Sequence, residues 1–217
     1  MSNERVLCVA AHPDDEVLGC GGTLARHAAG DDEVNIIFCA DGETSRGMKA
    51  LPNRNFMAHA ASKILGAQVP TYLDYADQRL DQASLLELTQ RIEDRARIIR
   101  PTVVYTHHLG DLNRDHQLVA QATLTAFRPL PHSSVRAIYA FEVVSSTEWG
   151  TGFWPNHYVD VDGFLNTKLR ALGCYESELR EVPHARSYAS VIDTMRLRGY
   201  QAGIFAAEAF MTMRCIR

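Results

Sequence analysis

The sequence has little of what would mark several common protein classes. Its five cysteines, Cys8, Cys20, Cys39, Cys174 and Cys215, are odd in number, widely spaced and without a C-x-x-C pair, which argues against a cysteine-type zinc site or a dithiol redox centre. Cys8 and Cys39 fall in apolar runs and read as core thiols. No apolar run approaches the roughly 18 residues of a membrane helix, and no basic segment leads into a long apolar one at the N-terminus. The expectation is a cytoplasmic protein without a membrane span. Positive charge is also scarce: 22 Lys+Arg against 26 Asp+Glu leave a net charge of -4, the opposite of a nucleic-acid surface. No repeat, low-complexity tract or linker interrupts the 217 residues, so one domain over 1–217 with a full hydrophobic core is expected.

What is present is a regular alternation of two patterns. Arg5–Ala10 and Glu33–Ala40 have continuously apolar centres, as strands buried on both faces do. Between them Val17, Leu18, Leu24 and Ala28 recur at helical spacing, predicting a helix over 16–29 that Gly30 stops. Further helices are predicted over 53–65, closed by Gly66, and around Leu85, Leu88, Ile92, Ala96 and Ile99, stopped by Pro101. Strands are predicted over 69–73, 102–106, 137–144 and 158–161. Helices follow around Leu118–Leu124, over 164–174 and over 187–199, while 206–216 fits a helix or a strand. The alternation predicts an α/β fold, Rossmann-like, with an open and mainly parallel sheet and helices on both faces.

In such sheets ligands bind beyond the carboxyl ends of the strands. Four loops fall there, 11–16, 41–47, 74–79 and 107–116, and they hold most of the charge that no helical face explains. Ala11-His12-Pro13-Asp14-Asp15-Glu16 puts an imidazole beside three carboxylates at a strand end, where a cation would offset their repulsion. A catalytic zinc takes three His or carboxylate ligands and keeps a position for water. His12 and Asp15 can reach one ion, and His116 can supply the third ligand from the later loop. Asp14 is then left free as a general base. The competing reading, in which His12 caps a turn and the Asp pair caps a helix, loses weight because a second histidine-rich loop follows an equivalent strand. His107 and His108 alternate in direction if they extend that strand, so at most one faces the metal and the other lies at the surface.

The A-H-P-D-D-E run, with D-x-x-x-D-H over Asp111 to His116, resembles the PIG-L/LmbE family of zinc-dependent de-N-acetylases, which act on N-acetylglucosamine-type sugars. Gly42-Glu43, Arg54 and Ala207-Glu208-Ala209-Phe210 extend the resemblance over most of the chain. It implies one Zn2+ per chain on His12, Asp15 and His116, Asp14 as base, and Glu43, Arg54 and Asp77 facing sugar hydroxyls. It also implies a small amino-sugar substrate and a homo-oligomer. For Glu43 the alternative is a solvated loop carboxylate, and for Arg54 a helix-surface charge. The sequence departs from the family at Asn113, where many members carry a histidine that stabilises the oxyanion or protonates the leaving amine. Asparagine can donate a hydrogen bond but cannot transfer a proton near neutral pH. Asn113 is therefore read as a possible second oxyanion donor, and the acid must be Asp14 itself, His107, His108 or His184. His27, His59, His132 and His157 read as structural.

Two other functions compete. A two-metal phosphoesterase needs bridging carboxylates and more histidines than these loops provide, and no phosphate cradle follows a strand directly, since Gly19, Gly21 and Gly22 lie too far into the first helix. A non-catalytic sugar or metal-binding protein is consistent with the missing histidine.

Overall fold

The computed structural model describes residues 3–46 and 54–216. The elements are β1 (Arg5–Ala10), α1 (Asp15–Ala29), β2 (Glu33–Ala40), α2 (Arg54–Leu65), β3 (Thr71–Tyr75), α3 (Leu85–Ile99) and β4 (Val103–His107), then α4 (Arg114–Ala126), β5 (Ala137–Phe141), β6 (His157–Asp160), α5 (Leu165–Gly173), α6 (Tyr188–Ala202) and β7 (Ala207–Cys215). The seven strands form one sheet in the order β3-β2-β1-β4-β5-β7-β6. β1 to β5 are mutually parallel, and β7 runs antiparallel between β5 and β6. The expected α/β architecture is thus present as a single layered domain.

The continuous apolar strands are explained by burial on both faces. Val6, Cys8 and Ala10 of β1 point into a core filled from α1, α2, α5 and α6, while Leu7, Val9 and Ala11 point into a second core filled from α3 and α4. Strand order reverses between β1 and β4: the chain builds outward through β2 and β3, then returns to the other side of β1. The loops after β1 and β4 therefore part company above the sheet and leave a crevice.

Some boundaries differ from expectation. β3 starts at Thr71, after Pro70, because Pro70 has no N–H for a ladder and the apolar Val69 lies exposed. β5 ends at Phe141 although the apolar run continues to Val144, because Thr147 and Ser146 donate their N–H groups back to Val143 O and turn the chain. Segment 206–216 resolves as a strand over Ala207–Cys215. The predicted start of the second helix at residue 53 lies outside the described residues, and α2 is described from Arg54.

The helix α1 is broken at Cys20 (φ −146°, ψ 19°). A break frees backbone groups that must find partners. Gly22 and Thr23 donate their N–H groups to the Glu208 carboxylate at 2.9 and 2.7 Å, and Lys168 Nζ bridges Glu208 Oε1 (2.6 Å) and Leu18 O (2.8 Å). The Ala207-Glu208-Ala209-Phe210 stretch thus acts structurally, by holding the broken helix whose first turn carries Asp15 and Glu16. Among the described residues no helix is long and apolar enough to cross a membrane. All five cysteines are unpaired, Cys8 and Cys20 approaching to 3.7 Å between sulfurs.

Candidate active site

The loops after β1 and β4 bring His12, Asp15 and His116 together. His12 Nδ1 lies 3.2 Å and His116 Nε2 3.3 Å from the same atom, Asp15 Oδ2, and one donor atom from each residue falls within 4.8 Å of the others. All three are buried. Asp15 Oδ1 and His116 Nε2 have no hydrogen-bond partner among the described residues, although buried polar atoms left bare are costly. Two imidazoles and a carboxylate, with unspent donor atoms on Asp15 and His116, fit a metal ion, and this donor set is of the kind a catalytic zinc takes.

Carboxylates behind the imidazoles fix their orientation. His12 Nε2 stands 3.1 Å from both Asp77 Oδ1 and Asp115 Oδ2, and His116 Nδ1 is 3.2 Å from Asp111 Oδ1. Asp111 is in turn held by the hydroxyls of Ser146 (2.8 Å) and Thr147, and Asp115 accepts the N–H groups of Gln78 (2.9 Å) and Leu80 (3.2 Å). Such partners select the tautomer that turns the other ring nitrogen toward a metal. His12, Asp77 and Asp115 form a second group of metal-compatible atoms, but it shares His12 with the first. Burial alone would lower the His116 pKa, yet the nearby charge of Asp15 and the bond to Asp111 raise it to about 9. Burial likewise works against ionised Asp15, but the facing imidazoles of His116, His107 and His12 hold its pKa well below the usual carboxylate range.

His107 is the inward histidine of its pair. It stacks on His116 with ring centroids 4.0 Å apart, and its Nε2 accepts the Ala11 N–H at 2.8 Å. Burial and the neighbouring His116 push its pKa down to about 3, so it is neutral and carries no proton on the nitrogen facing the cluster. His108 is not the surface residue expected: it is buried against Thr151 O (2.7 Å) and packs edge-on to Phe153. His184 is exposed, its Nδ1 accepting the Arg186 N–H.

Asp14 is buried beside the cluster at φ 120°, ψ −29°, a conformation that costs on the order of 1–3 kcal/mol in a residue other than glycine. The Glu16 carboxylate fixes it by accepting the Asp14 N–H at 3.0 Å, and Glu16 also accepts the Tyr175 hydroxyl at 2.7 Å. Glu16 thus serves the helix start from a fully buried position. Burial pushes the Asp14 pKa up, against the opposing charge of Arg186. Arg186 Nη1 donates to Asp14 Oδ2 at 2.9 Å, and Arg54 Nη2 stands 3.6 Å away.

The remaining candidates lie around this centre. Asn113 caps α4, its Oδ1 accepting the Asp115 N–H at 2.9 Å while its own N–H donates to Asp111 Oδ1 at 2.8 Å. Arg54 is buried, donates from Nη1 to Pro13 O (2.8 Å) and pairs through Nη2 with Glu178 Oε1 (3.0 Å); it is no surface charge. Gly42, at φ 69°, makes room for it, since a Cβ there would stand 3.0 Å from Arg54 Nη1. Glu43 is half-buried and accepts the Arg54 N–H. Asp77 is buried against His12 and accepts the Ser45 hydroxyl. Glu178 and Arg186 belong to the segment between α5 and α6, which carries no motif, and nothing in the sequence signals them. The sequence signal for Asp115 is its place as an acid directly before a ligand-type histidine.

The loop over 149–155 meets the rim at one tight crossing. Thr151 N–H donates to Gly110 O at 2.7 Å, and a Cβ on Gly150 would lie 1.9 Å from that oxygen, so both chains approach backbone to backbone.

Comparison with known proteins identifies the family. The family model described as "PIG-L: GlcNAc-PI de-N-acetylase" matches residues 7–127, more than half of the chain. The chain is 32% identical over 186 residues to the uncharacterized deacetylase YaiS of Escherichia coli, covering 81% of this chain and 94% of the relative. It is 27% identical to the diacetylchitobiose deacetylase of Thermococcus kodakarensis, over 93% of this chain and 82% of that one. Among solved structures, the N,N'-diacetylchitobiose deacetylase of Pyrococcus horikoshii superposes with a TM-score of 0.80 at 21% identity, over 96% of this chain and 83% of that one, and so shares its fold. The chain belongs to the PIG-L family of de-N-acetylases, enzymes that hydrolyse an amide bond.

Proposed function

We propose that the protein is a zinc-dependent N-deacetylase that hydrolyses the acetamide of an amino-sugar conjugate, with one zinc per chain and the catalytic domain spanning 1–217. The observation that carries this reading is the buried His12, Asp15 and His116 cluster, in which Asp15 Oδ1 and His116 Nε2 are unspent, with the carboxylate of Asp14 beside it. The names of the relatives from Escherichia coli and Thermococcus kodakarensis support deacetylation, and the second supports an N-acetylated sugar. The five unpaired cysteines favour a reducing, cytoplasmic setting.

His12, Asp15 and His116 would hold the ion. Zinc bound there supplies a Lewis acid that polarises an acyl carbonyl and makes water more acidic. Asp14, kept clear of the ligand set, takes the proton of the attacking water. Asp111 and Asp115 keep His116 and His12 in register while charge develops. The Asn113 amide, anchored through its oxygen, has its NH2 group available to the oxyanion. Since His107 is held neutral, His108 is bound to a carbonyl and His184 is exposed, Asp14 is also the group that returns the proton to the departing amine. Glu43, Arg54 and Asp77 form the sugar side of the site, Glu43 at its accessible edge and the other two from behind. The shared His12 disfavours a two-metal phosphoesterase.

Acetate release from N-acetylglucosamine and N,N'-diacetylchitobiose, with and without a chelator, tests the reading. Release that stops on chelation and returns with zinc is expected. A protein that binds these sugars without releasing acetate would be the non-catalytic alternative.

A further inference from the structure

Arg186 has no task in the reading above, yet it makes the closest side-chain contact to Asp14. Its segment is exposed over residues 181–184, but the guanidinium reaches inward: Nη1 donates to Asp14 Oδ2 and Nε donates to Ser145 Oγ, both at 2.9 Å. The two residues so joined share an unusual backbone. Asp14 stands at φ 120° and Ser145 at φ 78°, a region that residues other than glycine rarely adopt. Such conformations persist only where surrounding contacts over-determine them, and they cluster at functional sites.

Each end of this bridge is built into the centre. Ser145 N–H donates to Glu148 Oε1 at 2.7 Å, and the next residue, Ser146, holds the Asp111 carboxylate behind His116. At the other end Val17 and Leu18 donate their N–H groups to Asp14 O, and Asp14 N–H is held by Glu16. These bonds fix the Asp14 backbone but leave its carboxylate free to rotate. Arg54 does not fix it, because it stands 3.6 Å away and has its own partners in Pro13 O and Glu178. Among the described residues Asp14 Oδ1 accepts no hydrogen bond.

We propose that Arg186 is the positioning residue of Asp14: it grips Oδ2, uses Ser145 as its anchor, and leaves Oδ1 to face the reacting water. The planar fork of arginine suits this, since two of its nitrogens are fixed on separate partners at once, a geometry that a lysine ammonium on a flexible stem does not reproduce. The proposal rests on the reading of Asp14 as the base.

The test uses the zinc-loaded full chain, N,N'-diacetylchitobiose as probe, and the variants Arg186→Ala, Arg186→Lys and Asp14→Ala. For Arg186→Ala the expected result is unchanged zinc per chain, KM within about threefold, and kcat lower by about a hundredfold, the scale of a misplaced catalytic group. Millimolar guanidinium should restore kcat by about tenfold, and Arg186→Lys should stay well below the parent. A parent-like kcat in Arg186→Ala overturns the proposal, as does a loss that tracks zinc content or that guanidinium does not relieve. Asp14→Ala separates the two claims: if it is active, the base assignment itself fails, whereas if it is inactive and Arg186→Ala is active, only the positioning role fails. A crystal structure of Arg186→Ala serves whether or not the probe is turned over. It is expected to show the Asp14 carboxylate rotated, and an unmoved carboxylate overturns the proposal.

Discussion

Glu16 allows the buried charge network to be tested without a substrate. Its carboxylate is wholly buried, accepts the Asp14 N–H and the Tyr175 hydroxyl, and is pushed by burial, against those two bonds, from 4.5 to about 8. The folded chain therefore binds this proton more tightly than the unfolded chain does. Below pH 4.5 both forms are protonated and the group contributes no penalty. As pH rises from 4.5 to about 8 the unfolded carboxyl is ionised while the folded one is not. Stability then falls by about 1.4 kcal/mol per pH unit, toward a total of roughly 5 kcal/mol. Glu16→Gln removes the titration but gives up one acceptor, a loss of about 1 kcal/mol. In the metal-free protein the variant should be less stable than the parent by up to about 1 kcal/mol near pH 4, and more stable by roughly 3 kcal/mol near pH 8. Urea unfolding across that range measures the difference. A gap that does not change with pH, or a variant weaker than the parent near pH 8, refutes the reasoning.

Other substitutions probe the metal cluster and its rim. His12→Ala and His116→Ala should each purify with far less zinc than the parent, measured by elemental analysis, and full occupancy in either would remove that residue from the ligand set. Asp111→Asn should weaken zinc binding by about 10- to 100-fold in a competitive chelator titration, because it loosens the support of His116; unchanged affinity would leave Asp111 without that role. Gly150→Ala places a methyl 1.9 Å from Gly110 O, so backbone on one side of the crossing must shift. A loss of about 1–3 kcal/mol in thermal or urea unfolding is expected, and a parent-like melt would show that the crossing yields more easily than its geometry implies.

Much of the fold was legible because its signals are local. β1 and β2 read as buried strands from their apolar runs, α3 from its periodicity, and the crevice loops from charge that no helix face could use. The two strand-end loops sufficed to bring His12, Asp15 and His116 together, since parallel strands put their carboxyl ends at one edge. What escaped depended on distant pairings. Val69 and Val144 look like strand residues, but Pro70 and the turn at Ser146 and Thr147 set the limits. Asp77 is buried against His12, and Arg54 against Glu178 and Asp14; these pairings join segments far apart in sequence. Alternation of His107 and His108 predicts that one of the pair lies at the surface, whereas His107 is buried at the cluster and the 149–155 loop folds over His108. Glu208 was visible as part of a motif, but only the break at Cys20 explains what it holds.

The measurement that bears most directly on the proposed chemistry is the paired zinc content and acetate-release rate of Asp14→Ala. Because Asp14 stands beside the cluster and outside its ligand set, the variant is expected to keep one zinc per chain and lose nearly all turnover, on the order of 10²–10⁴-fold for a missing general base. Turnover within a few fold of the parent at equal zinc content would contradict the assignment of Asp14, and with it the mechanism built on the loop after β1.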